Sequence, residues 1–200
     1  MKRTRVTRLL ITFLLALPLT QHATVMVPMF MDDLTASSQT VVHGSIIAKR
    51  AEWGADRRMI YTVYTVEPRQ YLKGALGSTF EMREPGGELD GEGFYVASVP
   101  QFEVGQEAVL FVWTDKAGQH QLTAFEQGAV QVVESSSGVK SVARQIPLGT
   151  ARAGVSNNAL VSTASEATIS RPSVALSERS LSGLLNQIRI SISRTQPAAE

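Results

Sequence analysis

Four carboxylates crowd one stretch of the chain, Glu84-Pro85-Gly86-Gly87-Glu88-Leu89-Asp90-Gly91-Glu92-Gly93. Carboxylates at alternate positions in a glycine-rich loop imitate the opening of a calcium loop, whose oxygens suit hard cations. Such a loop needs a bidentate Glu at its twelfth position, and counted from Glu88 that residue is Val99. Helices would also have to flank it, whereas strands are expected here. The segment therefore reads as a solvated contact loop, and no metal is assigned to it. A second concentration, Ala51-Glu52-Trp53-Gly54-Ala55-Asp56-Arg57-Arg58, sets an indole beside two guanidinium groups. Trp, Tyr and Arg carry much of the binding energy at contact surfaces. Trp53, Arg57 and Arg58 thus join Glu84, Glu88, Asp90 and Glu92 as the candidate binding set, suited to a carbohydrate, a peptide or an exported protein. In the competing reading Trp53 folds back over the end of its own domain, as large apolar side chains are more often buried.

Catalytic constellations are sparse. The chain has no cysteine, which removes thiol nucleophiles, thiolate zinc sites and disulfides. His43 and His120 are the histidines beyond the first 23 residues. A zinc site would need a third ligand, and no HExxH spacing occurs. Gly44-Ser45 lacks the strand–turn–helix setting of a nucleophile elbow. A triad assembled in space around His43 or His120 stays open, because triads are not local in sequence. No glycine-rich loop precedes a helix, so phosphate binding has no support. The expectation is a non-enzymatic protein without a cofactor.

These residues need elements to position them. Val27 to Ser38 reads as a short helix, with Phe30, Met31 and Leu34 on one face and Asp32 and Asp33 in its first turn. From Thr40 the chain turns to strand character. Thr40 to Ile47 is β-branched around Gly44, which marks a bulge or bend. Met59 to Glu67 is the clearest strand, and Pro68 leaves Gln70 to Leu72 as a continuation past a bulge or an edge. Ser78 to Glu84, Phe94 to Val99, Ala108 to Trp113, His120 to Phe125 and Ala129 to Val133 follow. Of these, Ala108 to Trp113 is continuously apolar and reads as a central strand. About seven short strands in roughly 95 residues predict an all-β domain, an OB-like or similar small β-barrel of five to seven strands.

Residues 134–178 are dominated by Ser, Thr, Ala and Gly and sustain no hydrophobic period, so they read as a flexible linker. Leu181, Leu184, Leu185, Ile188 and Ile192 then form the stripe of an amphipathic helix over 179–193, with Ser180 as N-cap. The stripe requires a partner, either the barrel or another protein.

At the other end, residues 1–23 have the layout of a secretory signal. Lys2, Arg3, Arg5 and Arg8 precede the apolar run Leu9 to Leu19, and Ala23 offers a cleavage point. The alternative is an uncleaved anchor, since Leu9 to Met31 carries no charge. The expected location is the periplasm or the cell exterior, with the membrane involved only through that segment if it is retained. The whole chain holds 19 basic and 18 acidic residues, and removing 1–23 leaves 15 against 18, a net charge of −3. A mildly acidic chain without a basic stripe is not a nucleic-acid binder.

The strings Gln39 to Ile46, Tyr61 to Val66, Tyr71-Leu72-Lys73-Gly74, Phe102 to Phe111 and Gly128-Ala129-Val130 resemble a group of uncharacterised bacterial exported proteins. They are also similar to the netrin-like module, which includes tissue inhibitors of metalloproteinases. That resemblance covers about residues 38–131 and implies an OB-type barrel. Inhibitors of that module reach the catalytic zinc through an N-terminal cysteine, which this chain lacks. The expected function is an exported binding or interaction module. An inhibitor or companion of a secreted protease, and a hydrolase with a spatially assembled site, are the alternatives. The expected domain spans residues 24–133.

Overall fold

The computed structural model describes residues 28–144 and 180–195. The signal segment and residues 145–178 of the expected linker lie outside the described residues.

The described chain is an OB-like β-barrel with added strands and two helices. Helix α1 (Met31–Ser37) leads into β1 (Thr40–Trp53), β2 (Ile60–Lys73) and β3 (Phe80–Pro85). A small hairpin, β4 (Gly87–Leu89) and β5 (Glu92–Phe94), precedes β6 (Glu107–Thr114) and β7 (His120–Leu122). A 3-10 turn (Phe125–Gly128), β8 (Ala129–Glu134), β9 (Lys140–Val142) and helix α2 (Leu181–Thr195) complete the order. The sheet runs β1-β2-β3-β7-β6-β8-β9, and β1 also pairs with β6, so β1, β2, β3, β7 and β6 close on themselves. The closing pair β3–β7 is parallel, while the other pairings are antiparallel.

Two strands exceed the expected length. β1 and β2 are 14 residues each, because bulges rather than ends absorb the irregular residues. Gly44 lies opposite Pro68 at a register shift. A Cβ on Gly44 would stand 2.6 Å from the Glu67 carbonyl oxygen, so only glycine lets the strands approach there. A second shift between Ile46 and Ala48 leaves Ile47 exposed.

The expected strand Phe94 to Val99 is a correction. Only Glu92 to Phe94 pairs, with β4, and Tyr95 is exposed. Pro85, Gly86 and Gly87 break the ladder before this segment can reach the barrel wall. The domain also runs past Val133. Ser135 to Gly138 is a turn, with Gly138 at φ +78°, that returns β9 against β8. A serine-rich string is thus a hairpin turn at this point, and β9 supplies Val142 to the core.

The strand period of two sorts side chains into two cores. Val42, Ile46, Tyr64, Val66, Met82, Phe102, Leu110, Val112 and Leu122 fill the barrel. On the outside of the sheet Val41, Val109, Phe111, Val130 and Val142 are covered by Met31 and Leu34 of α1 and by Leu181, Leu184, Leu185 and Ile188 of α2. β6 is buried on both faces, as its continuous apolar run requires. The stripe of α2 therefore docks on its own domain. Asp32 accepts hydrogen bonds from Ser191 Oγ and Arg194, tying the two helices together. Lys73 Nζ donates to the carbonyls of Thr35 and Ser38, closing the C-terminal end of α1. Among the described residues no helix is long and apolar enough to cross a membrane.

Candidate functional site

The sequence-derived candidates separate into three places. Glu84 does not belong with the loop carboxylates. Its position on β3 is in phase with Phe80 and Met82, so it points into the barrel and is 2% exposed. Its Oε1 accepts the Leu122 N–H at 2.6 Å. Burial pushes its carboxyl up to about 7, against the pull of the Leu122 bond.

Glu88, Asp90 and Glu92 stay exposed on the β4–β5 hairpin. Glu88 pairs with Gly93 and Leu89 with Glu92, so strand alternation sends Glu88 and Glu92 to opposite faces. Their oxygens do not converge. Among the described residues no group of three His, Cys, Asp or Glu is placed to hold a metal ion.

Trp53 is the last residue of β1 rather than a loop residue, and it is half-buried. Its Nε1 lies 3.5 Å from Asp90 Oδ2, at the outer limit of a hydrogen bond. The guanidinium of Arg57 sits 5.8 Å from the indole centroid. Trp53, Arg57 and Asp90 are thus brought together, whereas Arg58 turns to Asp56. Opposite Ile60, the indole occupies the face of the β1–β2 ribbon on which the β4–β5 hairpin rests.

The other face of that ribbon carries a set of residues that the sequence reading missed. Arg50, Val63 and Arg83 are aligned across β1, β2 and β3, as are Glu52, Tyr61 and Pro85. Arg50 meets Glu81 through both guanidinium nitrogens and lies 3.7 Å from Glu52. The bond to Arg50 holds the Glu81 carboxyl below its ordinary range. Arg83 stacks over the Tyr61 ring, 3.8 Å from guanidinium carbon to centroid. It also donates to Gln119 at 3.0 Å, and its Nε lies 3.0 Å from Glu52 Oε1 without an aligned hydrogen bond. With Leu76, Phe80 and His120 these side chains line an open cleft of about 410 Å³. The charges within it are two guanidinium groups and two carboxylates, each engaged by another of the set.

The signal for this face was present but incomplete. Arg50 and Glu52, and likewise Glu81 and Arg83, are two apart in strand-like strings, the spacing of one sheet face. Which strands lie side by side is set by registers across the barrel, and no local pattern encodes them.

A larger cleft, about 520 Å³, lies between Pro100, Gln101 and the 3-10 turn. Its cation, Arg144, is occupied by the carbonyls of Glu126, Gln127 and Ala129, and so serves to cap the turn.

Each histidine is held by a side chain of the neighbouring strand β6. His43 Nε2 is 2.6 Å from Glu107 Oε1, and Lys140 Nζ is 2.6 Å from Oε2. The neighbouring Ser45 hydroxyl accepts from Arg69 Nε at 3.2 Å instead. His120 Nδ1 bonds the Thr114 hydroxyl at 2.9 Å. No protein-family model matches this chain, and none of the curated proteins compared with it is similar.

Proposed function

We propose that the protein is an exported, non-enzymatic binding module that holds an uncharged oligosaccharide across the outer face of β1, β2 and β3. The observation that carries this reading is the internal charge balance of the 410 Å³ cleft, where Arg50, Glu52, Glu81 and Arg83 neutralise one another. A polyanion requires cations free to displace its counterions, and these guanidinium groups are already paired. A peptide seeks a free strand edge or an apolar pocket. Here β2 is flanked on both sides, and Val63 is 3% exposed at the cleft floor. Sugar hydroxyls donate and accept at once, which matches guanidinium and carboxylate forks fixed side by side. OB barrels take oligosaccharides on their second and third strands, helped by the loops joining strands one to two and four to five. In this chain those loops are residues 54–59 and 115–119, and the second delivers Gln119. Export rests on the basic start and apolar run of residues 1–23.

Titration of the protein with chitotetraose, cellotetraose and maltotetraose, followed by NMR, tests the reading. At least one should saturate, with affinity changing less than about threefold between about 0.05 and about 0.5 M salt, since no ionic contact is being screened. Arg83→Ala should weaken it by about tenfold or more. Absence of saturation by all three at about 10 mM overturns the proposal, that concentration lying well above about 1 mM, where binding is worth only some 4 kcal/mol.

A further inference from the structure

The seam that closes the barrel is the thinnest part of its wall. Among the described residues β3 and β7 are in register at Met82 and His120 only. Two other bonds flank that pair. Arg83 Nη1 donates to Gln119 on the outer face, and the Leu122 N–H donates to Glu84 Oε1 within the barrel. Gln119 and His120 form one wall of the cleft, and Glu81 and Arg83 the other. The seam therefore runs beneath the cleft, and its inner clasp is a carboxyl.

We propose that protonation of Glu84 controls closure of the β3–β7 seam and, through it, the shape of the cleft, so that the cleft is held closed in mildly acidic medium and loosens in alkaline medium. The consequence for ligand rests on the reading of the cleft given above, while the response of the seam stands without it.

The physical reason lies in what surrounds the carboxyl. Glu84 is 2% exposed and faces Thr62 and Tyr64 of β2 and Leu122 of β7. Tyr64 is the titratable group that feels its charge, and Lys49 of β1 acts on that phenol from the opposite direction. Arg83, its neighbour on β3, lies on the outer face, where it bonds Gln119, whereas His120 of β7, in register with Met82 and edge-on to Phe80, has the inner phase and bonds Thr114. What acts on the Glu84 carboxyl is its burial and, against it, the Leu122 N–H. As a neutral acid it accepts the Leu122 N–H at no cost in buried charge. Once its proton passes to solvent, the buried carboxylate gains free energy by reaching water. Parting the seam is the shortest way to provide it. The single ladder pair and the Arg83–Gln119 bond are what oppose that motion.

Amide exchange at Leu122 in the full protein, corrected for the intrinsic rise of exchange with pH, tests this directly. The opening constant should increase about thirtyfold between about pH 5.5 and about pH 8.5, for a carboxyl near 7 when closed and near 4.5 when solvated. The Arg83 Nε–H and Gln119 side-chain signals should move with the same midpoint. In Glu84→Gln, whose amide oxygen still accepts from Leu122, both responses should vanish. Three results would each overturn the proposal: a Glu84 carboxyl carbon titrating near 4.5, Leu122 exchange alike in the two proteins, or cleft signals that ignore the transition. Should the variant fail to fold, the carboxyl titration and Leu122 exchange of the natural protein decide alone. None of these measurements needs an oligosaccharide, so failure of the cleft as a sugar site would be seen separately.

Discussion

Glu107 on β6 and Glu84 on β3 titrate in opposite senses, and the difference lies in their neighbours. Burial works to raise the Glu107 carboxyl, but hydrogen bonds from Lys140 and His43 outweigh it, so its affinity for a proton falls on folding. A depressed carboxyl contributes stability above its unfolded value, and that stability is lost as pH falls through the folded one. Glu84 has no such partners and is raised to about 7. Its contribution is complete below the unfolded value near 4.5 and disappears as pH climbs through 7. The melting temperature should therefore peak in mildly acidic buffer. In Glu84→Gln the alkaline decline should flatten, sparing on the order of 3 kcal/mol at about pH 8. In Glu107→Gln the acid decline should flatten and Lys140 should lose its hold on β6. Thermal melts across this range check both, and a natural protein with constant stability from about pH 5 to about pH 8 refutes the Glu84 half. Proximity along the chain groups Glu84 with the loop acids, but its phase on β3 separates it from them. Phe80, Met82 and Glu84 alternate with Glu81 and Arg83, so the period of two already put this carboxyl inside.

Elements with a sustained period were legible, and those defined by a break in one were not. The α2 stripe and the β6 run reached the structure as read, because burial on one face or on both leaves a direct mark on composition. Gly44 signalled its bulge, and Pro68 opposite it shows why two irregular residues fall at one register shift. The Phe94 to Val99 string had strand composition but no free ladder to join, which only the Pro85-Gly86-Gly87 detour reveals. The docking partner of α2 was equally hidden, since Asp32 and Ser191 are 159 residues apart. Docking has a measurable consequence. Ile188 is fully buried between α1 and the sheet, so Ile188→Ala should cost about 2–5 kcal/mol through lost burial and a residual cavity. Urea unfolding with an unchanged denaturant slope would show this. A loss under about 0.5 kcal/mol, the size of a surface substitution, would mean that the helix is not held by this face.

At the scale of the molecule, the two cores share their strands. Val41 and Val42, and Phe111 and Leu110, are neighbours in sequence that face different cores. The outer layer of helices consequently cannot leave without uncovering β1, β6 and β8, and the barrel cannot open without disrupting the surface on which those helices rest. Neither dependence could be read from hydrophobic period, which shows that a face is buried but not what buries it. Closure through β3–β7 was likewise invisible, because it joins strands separated by the whole β4–β6 excursion. The arrangement predicts a single cooperative transition. Trp53 at the end of β1 and Trp113 on β6 report on the barrel, whereas far-ultraviolet circular dichroism includes both helices. Urea curves from the two probes should superimpose, and Ile188→Ala should displace both by the same amount although neither tryptophan belongs to the helical layer. If the dichroism of that variant fell at lower urea than its fluorescence, the helices would be melting from an intact barrel, and the coupling inferred from the shared strands would be wrong.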